Sequence, residues 1–338
     1  METKSSDAIK LFVSLLVGVL LLVVLLWWIG VDKLLIVMGK ANPIWLMVSA
    51  LMIFPAYLLR ALRWRFLLLP VKNQVKLGNA FWATAIGFMV NTLIPIRIGE
   101  FIRAYLLGER ERIGFAPSFS SIIVERTLDL IGLLTLGLVA MLLLPIGTNL
   151  PSWILDGFKA LGLLIGIVLA VIIVGIKRED IILGLTKKIS AFLPILRKRA
   201  DKIVEFVRSL ISGLKGLSQS PKMFVANMAL TWVLWLIYCL MVYFVFEAFN
   251  YSISVIAIIL GGVLLNLTYI LPAAPGYVGT YEAYWTLIFM TLGIVQTDLL
   301  LAMGLISHLL GVVMMIALGC IGIMWLGLSF SEAFKVKR

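Results

Sequence analysis

Histidine, cysteine and acidic residues are all scarce in this chain. Its 338 residues include one histidine, two cysteines and 17 Asp/Glu. One histidine cannot build the nitrogen-rich cage of a catalytic metal. Cys239 and Cys320 both lie in apolar runs and read as small core residues, not as a disulfide framework. No nucleotide-binding loop or nucleophile motif occurs, so no cofactor, metal or catalytic residue is expected. Charge of any kind is sparse. Only 14% of residues are charged, against about a quarter in soluble chains. Between Met223 and Phe334 there is no Lys or Arg.

Apolar residues fill that space. The chain is 62% hydrophobic, with a mean hydropathy of +1.10. Several runs are long enough to span a hydrocarbon core of about 30 Å. Helices satisfy their own backbone groups there, so the expected class is an all-α polytopic membrane protein. The net charge of +12 does not point to nucleic acid, because the basic residues sit at helix ends and in a few loops. Membrane topology and anionic headgroups favour that distribution.

Six runs read as full crossings: Leu11–Ile29, Ile44–Leu59, Phe119–Leu144, Phe158–Ile176, Phe224–Phe246 and Leu299–Leu326. The first is too long for a signal peptide and lacks an A-x-A-type site, so it reads as a retained signal anchor. Two further stretches, Leu77–Leu107 and Ile253–Leu292, are apolar but broken. The first break carries Asn91, Pro95, Arg97, Gly99 and Glu100. The second carries Pro272, Pro275, Gly276 and Gly279. Proline removes a donor and clashes with the preceding turn, so neither stretch is expected to form one straight helix. The prolines and glycines are candidate hinges.

Charge orients these stretches. Arg60, Arg63, Arg65, Lys72 and Lys76 precede the first stretch, and Arg103, Arg110 and Arg112 follow its break. Both flanks are basic and are expected to face the cytoplasm. The loops flanking the second stretch hold no basic residue and are expected outside. The pattern predicts two opposed re-entrant helical hairpins, with both termini cytoplasmic. Asn91, Pro95, Gly99 and Glu100 have loose counterparts in Asn266, Pro275, Gly279 and Glu282, which suggests an inverted repeat. The whole chain, 1–338, reads as one transmembrane domain. Residues 177–222 form a basic connector between its halves, with an amphipathic helix predicted from Lys202 to Leu217.

Ionisable side chains within a membrane are costly and need a reason. Arg97, Glu100 and Arg103 surround the first break, and Glu125, Arg126 and Asp129 form a second cluster in the next crossing. These groups fit either an ion-pair network or a site for a headgroup with phosphate and amine character. Arg60, Arg63 and Arg65 fit interfacial anchors or headgroup contacts. Glu282 has no basic residue near it in sequence, so its partner must come from another helix, water or a ligand. His308 has no acid nearby in sequence and reads as a packed or hydrogen-bonded helix residue.

Four segments carry a family resemblance: Arg60-Ala61-Leu62-Arg63-Trp64, Asn91-x-x-x-Pro95-x-Arg97-x-Gly99-Glu100-x-x-Arg103, Glu125-Arg126-x-x-Asp129 and Pro275-Gly276-x-x-Gly279-x-x-Glu282. In this order the chain resembles the transmembrane region of lysylphosphatidylglycerol synthases, which also occurs in stand-alone flippase-like proteins. The resemblance implies a module of the cell membrane that moves an aminoacylated or otherwise polar phospholipid between leaflets. It implies headgroup contacts from Arg60, Arg63, Asn91, Arg97, Glu100, Arg103, Glu125, Arg126, Asp129 and Glu282. Related members handle polyprenyl-linked or glycosylated lipids. The two-part synthases append a cytosolic aminoacyl-transferase domain, which this chain is expected to lack, so synthase activity is not expected. Expected partners are anionic or aminoacylated phospholipids and a separate lipid synthase, with homo-oligomerisation left open. The competing expectations are an intramembrane headgroup transferase, with Glu100 or Glu282 as base, and a scaffold presenting lipid to that synthase.

Overall fold

The computed structural model describes residues 27, 31–94, 98–144, 151–192, 200–218, 221–269, 271 and 274–328. Pro95, Arg97, Pro272, nearly all of the Leu11–Ile29 run and both termini lie outside the described residues. Every regular element among the described residues is helical: α1 (Val31–Met38), α2 (Pro43–Leu51), α3 (Ile53–Leu68), α4 (Leu77–Leu93), α5 (Gly99–Arg110), α6 (Phe115–Leu142) and α7 (Ser152–Lys177). There follow α8 (Glu179–Phe192), α9 (Ala200–Ser218), α10 (Pro221–Ala248), α11 (Val255–Thr268), a 3-10 turn (Pro275–Tyr277), α12 (Thr280–Thr291) and α13 (Thr297–Trp325).

Among the described residues, four helical spans are long and apolar enough to cross a membrane: Pro43–Leu68, Ser152–Lys177, Lys222–Ala248 and Thr297–Trp325. The first joins α2 and α3, with Asn42 capping its start by accepting from the Ile44 N–H. α6 is equally long, but every 18-residue stretch of it contains Glu125, Arg126 and Asp129. Its charge, not its length, separates it from the four.

Each broken stretch folds as two antiparallel helices. In the first, Gly87 of α4 faces Gly99 and Arg103 of α5, and the Asn91 carboxamide oxygen accepts from the Gly99 N–H at 2.8 Å. That bond stabilises the turn by satisfying a donor at the start of α5. In the second, Gly261 of α11 meets Phe289 and Leu292 of α12, and Tyr269 packs edge-on against Tyr277. Gly276, Tyr277 and Gly279 have φ of 64°, 57° and 73°, a region glycine enters without steric cost. The loose counterparts differ in detail. Asn266 does not bridge its break but donates back to the Gly262 carbonyl of its own helix.

Helix α13 relates the two pairs. Its C-terminal half packs against α4, with Gly319 on Met89 and Trp325 on Gly78. Its N-terminal half packs against α12, with Gly304 on Trp285. The outer ends of the α4–α5 pair therefore lie at the C-terminal end of α13, where Arg110 donates to the Leu326 carbonyl. The α12 outer end runs directly into the N-terminus of α13. The two breaks meet in between: the Cα of Gly276 approaches the Thr92 carbonyl so closely that a methyl group there would sit 3.7 Å from it.

Close approach makes Gly99 unreplaceable. A Cβ at this position would fall 1.9 Å from the Gly87 carbonyl oxygen and 2.6 Å from Asn91 Oδ1. Gly99→Ala is expected to splay α4 from α5 and to cost more than the ~1–3 kcal/mol typical of overpacking. Thermal unfolding in detergent checks this, and an unchanged melting temperature would refute the packing described.

Glu111 ties the outer ends of the first pair together. Lys72 Nζ donates to its carboxylate at 2.5 Å, Asn79 Nδ2 at 2.6 Å and the Lys76 N–H at 3.1 Å. Burial alone would raise the Glu111 pKa; these three donors outweigh it and hold the carboxyl below its usual range. The stability this contributes is complete above the unfolded value of about 4.3 and is lost as pH falls through the lower folded value. Wild-type stability should therefore fall more steeply with acid than that of Glu111→Gln, read as melting temperature against pH.

Among the described residues, the connector holds two helices. α9 covers the amphipathic helix predicted from Lys202 to Leu217, and α8 precedes it. Glu179 of α8 takes Lys215 of α9 at 2.6 Å. Phe206 of α9 stacks on Phe115 of α6 at 6.0 Å between ring centres. The apolar face of α9 thus lies against the helix bundle.

Candidate functional site

The arginines and acids of α3, α5 and α6 converge on one buried cluster. α3 delivers Arg60 and Arg63 three residues apart, on one helix face. α5 delivers Glu100 and Arg103 by the same spacing, and α6 delivers Glu125, Arg126 and Asp129. Asp129 accepts from Arg63 at 2.8 Å, Arg126 at 3.0 Å and Arg60 at 3.3 Å. Glu125 lies 3.4 Å from Arg60 and 3.2 Å from both Arg103 and Arg126. Glu100 accepts from Arg103 at 2.6 Å and faces Arg126 at 3.3 Å.

Four guanidinium groups thus meet three carboxylates, an excess of one positive charge. Arginine does not lose its proton in a protein, so that excess is permanent. Burial is uneven. Arg60, Arg63, Arg103, Glu125 and Asp129 are almost wholly covered, whereas Glu100 is 18% and Arg126 32% exposed. The cluster therefore opens where Arg126 and Glu100 meet. Among the described residues, Arg63 Nε and Nη2, Arg103 Nη2 and Arg126 Nε have no hydrogen-bond partner. Unused donors beside an excess charge can receive a phosphate or another anion.

Aromatic rings line the cluster. The Arg60 guanidinium lies 5.0 Å from the Phe88 ring, 5.6 Å from Trp235 and 5.4 Å from Tyr238. Arg103 lies 4.9 Å from Trp64. These faces attract cations and exclude water. Arg60 Nε also donates to the Tyr238 hydroxyl at 3.2 Å, tying α10 to the site. Sequence reasoning missed Tyr238; its signal was a hydroxyl midway along an otherwise apolar run.

The other expected site residues divide. Asn91 acts on the backbone at Gly99, not at the cluster. Glu282 stands on α12 and pairs with His308 of α13 at 2.7 Å. His308, read from sequence as having no acid nearby, thus has one on a facing helix. Tyr281 stacks on its ring at 4.6 Å, and the Tyr281 hydroxyl meets Ser307 at 3.3 Å. The sequence signal was the coincidence of one histidine and one unpartnered glutamate in a segment without a cation.

The chain is similar to membrane proteins of archaea. A UPF0104 membrane protein of Methanothermobacter thermautotrophicus is 24% identical over 96% of this chain and 98% of its own length. A second from that organism is 26% identical, covering 93% of each. Glycosyltransferase AglD of Haloferax volcanii is 26% identical over 89% of this chain but only 52% of its own length. No solved structure matches at a significant level. The family model described as the lysylphosphatidylglycerol synthase TM region matches residues 12–328. With almost the whole chain matched and apolar helices of spanning length throughout, this integral membrane protein belongs to the lysylphosphatidylglycerol synthase transmembrane-region family.

Proposed function

We propose that the protein translocates a lipid with an anionic or zwitterionic headgroup between the leaflets of the cell membrane. The observation that carries this reading is the cluster of four arginines and three acids, with its excess charge, unused donors and one exposed edge. A purely structural network has no need of a surplus cation. In this reading α4–α5 and α11–α12 are re-entrant hairpins arranged as an inverted repeat, and six crossings surround them with both termini cytoplasmic. The basic residues Lys72, Lys76, Arg110 and Arg112 support an orientation with the first pair's outer ends towards the cytoplasm. The headgroup enters at Arg126 and Glu100 from the inner leaflet, exchanges partners with the network and leaves past the meeting point of the two breaks. Acyl chains stay in lipid.

The protein supplies charge-matched passage and no bond-making chemistry. The test is reconstitution into vesicles carrying fluorescent phosphatidylglycerol, its lysyl ester or a polyprenyl phosphate in one leaflet. Accelerated exchange of at least one is expected. Exchange at the protein-free rate for all three would sink the proposal.

A second reading is favoured by one finding, the match to about half of a protein named a glycosyltransferase. Here the membrane domain presents lipid to a separate enzyme, such as a lipid synthase. Copurification of such an enzyme, with no leaflet exchange, would select it.

A further inference from the structure

The two helix pairs differ in kind of charge. The α3–α5–α6 cluster is built on arginine, whose charge does not change. The α12–α13 contact is built on Glu282 and His308, a carboxyl and an imidazole, side chains that can each carry or release a proton. Glu282 is buried and His308 is partly covered: their side chains are 3% and 12% exposed. Glu282 Oε1 meets His308 Nδ1 at 2.7 Å, and Glu282 Oε2 has no partner among the described residues.

Among the described residues, the pair's surroundings hold no permanent charge in direct contact. α12 itself contributes Tyr281, and α13 adds Ser307. The 3-10 turn supplies Tyr277, and Tyr269 follows the last residue of α11. α10 presents Phe246 to Trp285 and Phe289. α1 presents Val37 and Met38 to α13, and α4 presents Met89. Tyr269 lies in electrostatic range of both Glu282 and Tyr238, beyond which stands Arg60. No Lys or Arg pairs with either member among the described residues.

Charge counting then selects one state. With one proton the pair is neutral overall, whichever partner carries it. With none, a carboxylate is left without a cation in a low-dielectric site. With two, an imidazolium is left without an anion. Each departure is costly inside a membrane, so protonation is tied to whatever brings the pair to water. The backbone that could do so is adjacent. Gly276, Tyr277 and Gly279, all at positive φ, lie within six residues before Glu282.

We propose that Glu282 and His308 form a proton-binding site that couples movement of the α11–α12 pair to a transmembrane proton gradient, one proton per lipid. The proposal rests on the translocation reading and supplies its driving force. The proton passes between Glu282 and His308 Nδ1 and is exchanged with water on either face as the α12 end of the hinge opens.

The test uses two readouts on the full chain. In vesicles with fluorescent phosphatidylglycerol, a one-unit pH gradient should shift the steady-state leaflet ratio about tenfold for one proton per lipid. Glu282→Gln keeps the hydrogen bond to His308 but cannot ionise; it should exchange lipid with the ratio unmoved by the gradient. His308→Gln serves as the second variant. Wild-type exchange indifferent to the gradient would overturn the proposal. The second readout is independent of transport: infrared difference spectra on acidification should show a buried carboxylic-acid band in wild type that Glu282→Gln removes. A band unchanged by that substitution also overturns the site. If wild-type protein shows the band but moves no lipid, the proton site stands and the translocation reading fails.

Discussion

Asp129→Ala is expected to cost about 3–5 kcal/mol of folded stability, the range for stripping one partner from a buried ion pair. The position is severe because Asp129 serves three guanidinium groups, those of Arg60, Arg63 and Arg126. Arg63 loses its sole ion-pair partner among the described residues, with its side chain fully buried. The remaining carboxylates, Glu125 and Glu100, then face four arginines, so the charge imbalance rises from one to two. Unfolding in detergent, followed by far-UV circular dichroism, measures this. A variant as stable as wild type would mean that the cluster is solvated and not closed.

Arg126→Gln is expected to do the opposite, sparing the fold while disabling transport. Each carboxylate keeps an arginine without it: Glu100 keeps Arg103, Glu125 keeps Arg60 and Arg103, and Asp129 keeps Arg60 and Arg63. Three arginines then balance three acids, and the excess charge disappears. Arg126 is also the most exposed arginine of the set, with Nε unpartnered. A hydrogen bond to a charged group is worth about 1.5–3 kcal/mol, so leaflet exchange should fall about 10- to 150-fold at a near-wild-type melting temperature. Exchange at the wild-type rate would remove Arg126 from the headgroup path. Together the two variants separate the residues that hold the cluster closed from the one that opens it.

Much of this arrangement was legible in the residues. Among the described residues, helices lie where the apolar runs predict them, because a run of spanning length permits little besides a helix. That neither broken stretch forms one helix followed from proline and glycine, whose backbone limits are local. The reach of Arg126 to Asp129, and of Arg103 to Glu100, followed from a spacing of three on one helix.

Partnerships across helices were not legible. Arg60 and Arg63 could be read as interfacial anchors, since nothing in α3 indicates that Asp129 lies opposite. His308 had no acid in sequence range, yet Glu282 lies 2.7 Å away. Asn91 shared a motif with the charged residues but serves the turn at Gly99. Sequence alone determined that this chain lives in a membrane, that it is helical, that two stretches break, and which charged groups had to be sheltered. Those properties depend on composition and on neighbours within one turn. Only the tertiary structure decided which charges balance, where one is left over, and that the two breaks meet. Those depend on which helix faces pack together, and an apolar helix carries almost the same pattern on every face.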